Sequence, residues 1–124
     1  MTDTSVRRLG EFATRMADDD ADLAIITETD SIFYLAHLWG YMGLENNRPM
    51  ILIVPRTGQP TLICPAIEIE MARQMTTVPD IRSWVDGVDG EWPGILEAIL
   101  KHHRPRAIGV EQSRMPGLVT DVVR

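Results

Sequence analysis

From Ser5 to Asp19 the apolar residues Val6, Leu9, Phe12, Ala13 and Met16 recur at three- and four-residue spacings. This period predicts an amphipathic helix with one face against a core. The acidic run Asp18-Asp19-Asp20 ends it, and Leu23-Ala24-Ile25-Ile26-Thr27 follows as a short, almost wholly apolar run. Such a run predicts a central strand covered on both faces, as in an α/β sheet. Asp30 or Ser31 can cap a short helix through Ile32, Phe33, Tyr34 and Leu35, because a side-chain oxygen there accepts from the first free amides. The stretch from Ala36 to Asn47 is the least regular and the most aromatic of the chain.

Pro49 to Val54 and Thr61 to Cys64 are β-rich runs separated by a short segment containing Gly58, which predicts an antiparallel hairpin. Ile67 to Met75 carries Ile67, Met71, Ala72 and Met75 on one side of a connecting helix, stopped by Val78-Pro79. Ile81 to Val85 is a further strand. The turn Gly87 to Gly90 leads to a helix from about Trp92 to His103, with Pro93 suited to its first turn. Ala107 to Val110 is a last strand, and Leu118, Val119, Val122 and Val123 start another helix as the sequence stops. The resulting order, αβ(α)ββαβαβ(α), predicts one α/β domain over 1–124, a mixed sheet of about five to six strands flanked by helices. Two turns of helix are too short to stand without the packing of a remainder, so the chain reads as truncated.

A chain of 124 residues with 44% hydrophobic and 24% charged residues has the composition of a packed globular domain. Its net charge of -6 argues against a phosphate backbone or an anionic membrane as the main partner. The single cysteine, Cys64, rules out an internal disulfide framework and fits the reducing cytoplasm. No signal sequence is visible at Met1-Thr2-Asp3-Thr4, and no apolar run approaches the ~20 residues of a membrane span.

The residue types that carry chemistry are scattered. His37 stands alone, and His102 and His103 are neighbours in the last turn of a helix, diverging by about 100° and suited as partial cations to its dipole. Glu68 and Glu70 turn away from each other on a helix. Asp86, Asp89 and Glu91 lack the spacing and the closing glutamate of a calcium loop. No phosphate-cradling glycine loop and no nucleophile elbow occurs. One segment mixes ring surface with polar ends: His37, Trp39, Tyr41 and Met42 surround Gly40 and Gly43 and precede Glu45 and Arg48. Such stretches line ligand or subunit contacts, or simply cover the edge of their own core.

The ordered set Asp22-Leu23-Ala24-Ile25-Ile26, Asp30-Ser31-Ile32-Phe33-Tyr34-Leu35, Arg48-Pro49-Met50-Ile51-Leu52-Ile53-Val54-Pro55, Gly58-Gln59-Pro60-Thr61-Leu62-Ile63 and Ile108-Gly109-Val110-Glu111 resembles the N-terminal domain of the creatinase/prolidase (aminopeptidase P) family over nearly the whole chain. The resemblance implies a ribonuclease H-like mixed sheet that precedes a larger "pita-bread" catalytic domain, absent here. That domain holds two divalent metals (Mn, Co or Zn), or none in creatinase itself, so this fragment alone is expected to be inactive and without cofactor. The resemblance further implies a homodimer, with this domain serving oligomerisation and substrate gating for a small peptide or amide substrate. Arg48, with His37, Trp39 and Tyr41, matches the region from which relatives lend substrate-contacting side chains.

Where many relatives read Tyr-Leu-Thr-Gly-Phe, this chain has Tyr34-Leu35-Ala36-His37-Leu38 and a longer Trp39 to Asn47 insert. The lip of the pocket is where substrate choice is made, so creatinase-like and other C–N or C–S cleaving parents stay open beside a Xaa-Pro dipeptidase. The reading from another class is a free-standing α/β binding or scaffolding module that pairs through the aromatic segment without a catalytic partner domain.

Overall fold

The computed structural model describes residues 2–27, 29–38, 50–66, 69–84 and 92–110. Among these residues nine elements follow one another: α1 (Thr2–Asp18), β1 (Leu23–Ile26), α2 (Thr29–Ala36), β2 (Ile51–Pro55), β3 (Thr61–Pro65), α3 (Ile69–Met75), β4 (Asp80–Trp84), α4 (Trp92–His103) and β5 (Ile108–Val110). The order is the one the hydrophobic pattern predicts. The helix expected from Leu118, like the turn at Gly87 to Gly90, lies outside the described residues. α2 begins at Thr29, so Asp30 and Ser31 stand inside its first turn rather than at its cap.

The strands form one sheet in the order β4-β3-β2-β1-β5. β2 pairs antiparallel with both β1 and β3, while the outer pairs β1–β5 and β3–β4 are parallel. The β2–β3 hairpin turns at Gly58, whose φ of 102° is open to glycine and strained for a side chain. Every residue of β1, β2 and β3 is buried, because both faces of these three strands are covered.

Alternation along the strands divides the core in two. On one face Ala24, Ile26, Leu52, Val54, Leu62 and Cys64 meet Met16 of α1, Ile32 and Leu35 of α2, and Ala72 of α3. On the other, Leu23, Ile25, Ile51, Ile53 and Ile63 meet Trp92, Leu96 and Ile99 of α4. Leu9 and Phe12 continue the α1 stripe against the first cluster. Val6 does not. It is 59% exposed, so the apolar face of α1 engages the core only from its third turn.

Three of the helices end on a residue in the left-handed conformation, and none of the three is glycine: Asp20 (φ 59°), His37 (φ 56°) and Arg104 (φ 48°). After α1 the amide of Asp20 donates to the Ala17 carbonyl and that of Ala21 to the Met16 carbonyl, the paired bonds of a Schellman cap. After α2 and α4 a single bond closes the last turn, His37 N–H to Phe33 O at 2.9 Å and Arg104 N–H to Leu100 O at 2.8 Å. Each cap satisfies carbonyls that would otherwise be orphaned, at the steric cost that a Cβ brings to this conformation.

Candidate functional site

The C-terminal end of α2 is where the chain leaves regular structure for the aromatic segment. Two contacts fix it: Leu38 is fully buried, and the Thr76 hydroxyl donates to the Ala36 carbonyl. Between these anchors His37 takes its left-handed backbone and lays its ring against Phe33, with centroids 5.3 Å apart. A glycine at this position would enter that conformation without strain. Here a histidine occupies it, and the cost of about 1–2 kcal/mol is met by the cap bond and by the ring contact.

Phe33 and Tyr34 are 40% and 53% exposed, so α2 turns ring surface outward next to His37. The Arg8 guanidinium sits 4.0 Å from the centre of the Tyr34 ring and donates to the Tyr34 carbonyl at 3.1 Å. This pairing of a cation with a ring face and a helix-end carbonyl ties α1 to α2 on the outer side. Beneath, α1, α2, β1 and β5 enclose a groove of about 760 Å³. Its apolar walls include Phe12, Met16, Leu35 and Ile108, and Arg15 and Asp19 stand among its polar lining. Two of the strand residues that line it, Ala24 and Gly109, are small. The Cβ of Ala24 is the nearest side-chain atom to the position a Cβ on Gly109 would take, at 4.0 Å.

Of the four residues expected to meet substrate or a second subunit, the structure places His37. Arg48, Trp39 and Tyr41 lie outside the described residues. Among the described residues no group of three or more His, Cys, Asp and Glu could hold a metal ion, and no helix is long and apolar enough to cross a membrane. Cys64, the single cysteine of the chain, is buried in β3. Glu70 is exposed beside Arg73, at 3.1 Å, one turn apart on α3.

Three groups have shifted acidities. Asp22 lies below its ordinary value, chiefly because its carboxylate accepts the Arg106 amide, against a smaller opposing effect of desolvation. At Asp80 burial pushes upward, but hydrogen bonds from Arg82 and Thr61 outweigh it and lower the carboxyl. His103 is lowered by burial first, then by the neighbouring His102 and Arg82. Desolvation and like charge thus oppose, at His103, the proton that the helix dipole favours. The His102 and His103 rings lie edge to face, 5.2 Å apart.

Two features of this region escape sequence reasoning. The left-handed caps fall on residues that carry no glycine signal, although the departure from Gly at His37 marks one of them. The groove is lined in part by Ala24 and Gly109, 85 residues apart in the chain, facing each other in adjacent strands at matched register.

A family model described as the creatinase/prolidase N-terminal domain matches residues 8–120. An uncharacterized peptidase of Staphylococcus epidermidis is 30% identical over 79 residues, which is 64% of this chain and 22% of that protein. The chain therefore spans about a fifth of the length of the peptidase it matches. Among solved structures, a proline dipeptidase from Streptococcus pneumoniae superposes with a TM-score of 0.79 at 20% identity, covering 93% of this chain and 81% of that one. The creatinase/prolidase N-terminal domain of an X-Pro dipeptidase from Streptococcus pyogenes gives 0.73 at 23% identity, over 85% and 76% of the two chains. The Xaa-Pro dipeptidase of Bacillus anthracis gives 0.76 at 13% identity, with 95% of this chain covering 30% of that one. These likenesses share the mixed five-stranded sheet with flanking helices, and with a family model spanning nearly its whole length the chain belongs to the creatinase/prolidase N-terminal domain family.

Proposed function

We propose that this chain is the non-catalytic N-terminal domain of a larger metal-dependent hydrolase of Xaa-Pro peptides or a related small amide, and that it serves oligomerisation and substrate gating. The observation that carries the reading is the combination of a family match over residues 8–120 with a span of 22% of a related peptidase. In this reading the metals, the general base and the scissile bond all belong to a catalytic domain that this chain does not contain, and the fragment by itself turns nothing over. The segment from His37 to Arg48 reaches toward substrate or toward a second copy in a homodimer. The outward rings of Phe33 and Tyr34, beside the strained backbone of His37, support that direction, because exposed aromatic surface next to a constrained residue suits contact better than solvent. The single cysteine supports a reducing, cytoplasmic home for the protein.

The test uses the whole protein. Hydrolysis of Xaa-Pro dipeptides that needs a divalent metal, together with Arg48→Ala raising KM or lowering kcat while leaving the melting curve unchanged, is the expected result. Unchanged kcat/KM in that variant would make Arg48 structural. A protein that stays monomeric on dilution-controlled light scattering and hydrolyses no Xaa-Pro substrate would defeat the reading as a whole.

A further inference from the structure

A second concavity lies at the end of the sheet where β1 and β5 begin and β2 ends. It has a volume of about 310 Å³ and is lined by Asp22, Arg56, Thr57, His103, Arg104 and Arg106, with Pro55 and Pro105. That size is at the lower end of the range of ligand clefts, roughly 300–1,000 Å³. The walls are held by backbone. Asp22 N–H donates to Ala107 O at 2.9 Å, Arg56 N–H donates to Asp22 O at 2.8 Å, and the Arg106 amide donates to the Asp22 carboxylate at 2.8 Å.

The charge of this concavity runs against that of the chain. The protein carries -6 overall, yet three arginines and a histidine line this concavity beside a single acidic residue, Asp22. That carboxylate is already engaged, by the Arg106 amide and by Arg56 at 3.1 Å. It orients the Arg56 fork and still leaves donors of that group open, since a guanidinium carries five N–H. Arg104 and Arg106 hold no ion pair among the described residues. The exposed C-terminal carbonyls of α4 account for cations in its last turn. They do not account for Arg56 and Arg106, which arrive from β2 and from the approach to β5.

Arg104 adds an independent observation. It occupies a left-handed cap, φ 48°, where glycine would be free of strain. A side chain kept at such a position, at a steric cost, and lining a concavity is an observed outlier of the kind that marks functional sites.

We propose that this concavity is a binding site for a phosphate group, independent of the proposed peptidase function. Arg104 and Arg106 supply planar donor forks that match tetrahedral oxyanions. Arg56, held by Asp22, supplies a third positive charge, and the Thr57 hydroxyl a neutral donor. His103, kept toward its neutral form by burial and by its cationic neighbours, takes up a proton when the anion arrives.

The experiment titrates inorganic phosphate into the whole protein at constant ionic strength, with chloride as the counterpart, and follows the His103 imidazole by NMR alongside calorimetry. Saturable binding with a rise in the His103 pKa in phosphate, and none in chloride, is the expected result. Arg104→Gly should weaken phosphate binding roughly tenfold while leaving the melting temperature the same or higher, because glycine suits the cap. Arg106→Gln, which keeps the backbone bond to Asp22, should weaken it similarly. A phosphate monoester that binds tighter than inorganic phosphate supports a phosphorylated metabolite as the source, and equal affinity supports the free ion. An equal His103 response to chloride, or phosphate curves unchanged in both variants, overturns the proposal.

Discussion

The two faces of the sheet are built on opposite plans. One is covered by three helices and contains small residues, Ala24, Ala36 and Ala72, beside a groove of about 760 Å³. The other is covered by α4 alone, and the cluster there is Leu, Ile and Trp. A single helix suffices where large side chains fill the space between it and the strands. The three helices leave a groove beside Ala24 and Gly109, so room for contact lies on their face of the sheet.

The sharpest way to break this contrast is Leu96→Ala. Leu96 is fully buried in the face that one helix covers, so the variant should lose about 2–5 kcal/mol in urea unfolding. Enlarging two alanines of the opposite face should separate its packed part from its open part. Ala72→Leu, at a fully buried position of α3, should cost about 1–3 kcal/mol by overpacking. Ala24→Leu, which can grow into the groove, should cost less than that by the same assay. Equal losses would mean that the groove collapses around small residues.

Trp84 sharpens the comparison at smaller scale. Its indole N–H is buried without a hydrogen-bond partner among the described residues, so Trp84→Phe removes both packing and an orphaned donor. The two effects oppose, and the net change should stay within about 1 kcal/mol, read from the shift in the denaturation midpoint. The smallest effect concerns pH. The folded His103 pKa lies below the ordinary 6.5, so between those two values the unfolded chain binds more protons than the folded one. Stability should therefore fall as pH is lowered from about 6.5 toward the folded value, and this slope should disappear in His103→Gln. The Asp22 contribution runs at lower pH. Its depressed carboxyl stabilises the fold above the ordinary value of 3.8, and that contribution is lost as pH falls through the folded value.

Much of this architecture was legible along the chain. α4 occupies the predicted span from Trp92 to His103, because Pro93 suits its first turn and Arg104-Pro105 closes its end. β1 reads as doubly buried because Leu23 to Ile26 leaves no polar position to face water. The strand order was not legible. Nothing local to Ile108-Gly109-Val110 says that it pairs with β1 rather than with β4, since that choice is made by the passage of α4 across the sheet. The basic concavity was equally hidden, because Asp22, Arg56, Arg104 and Arg106 converge only after the sheet closes. At the candidate site, sequence singled out His37 but not its left-handed backbone, since a histidine carries none of glycine's signal.

The bond between the Asp22 carboxylate and the Arg106 amide joins residues 84 apart, and the paired residues of β1 and β5 are 85 apart. The β2–β3 hairpin forms from neighbours, whereas β5 can be added only after almost all the preceding chain is in place. During synthesis the outer edge of β1, four apolar residues long, thus waits for the last of the five described strands to leave the ribosome. Domains that close late keep a sticky edge unpaired for longer. Folding speed here is governed by that closure, and slow translation upstream of residue 108 would lengthen the interval in which β1 can pair with the wrong chain.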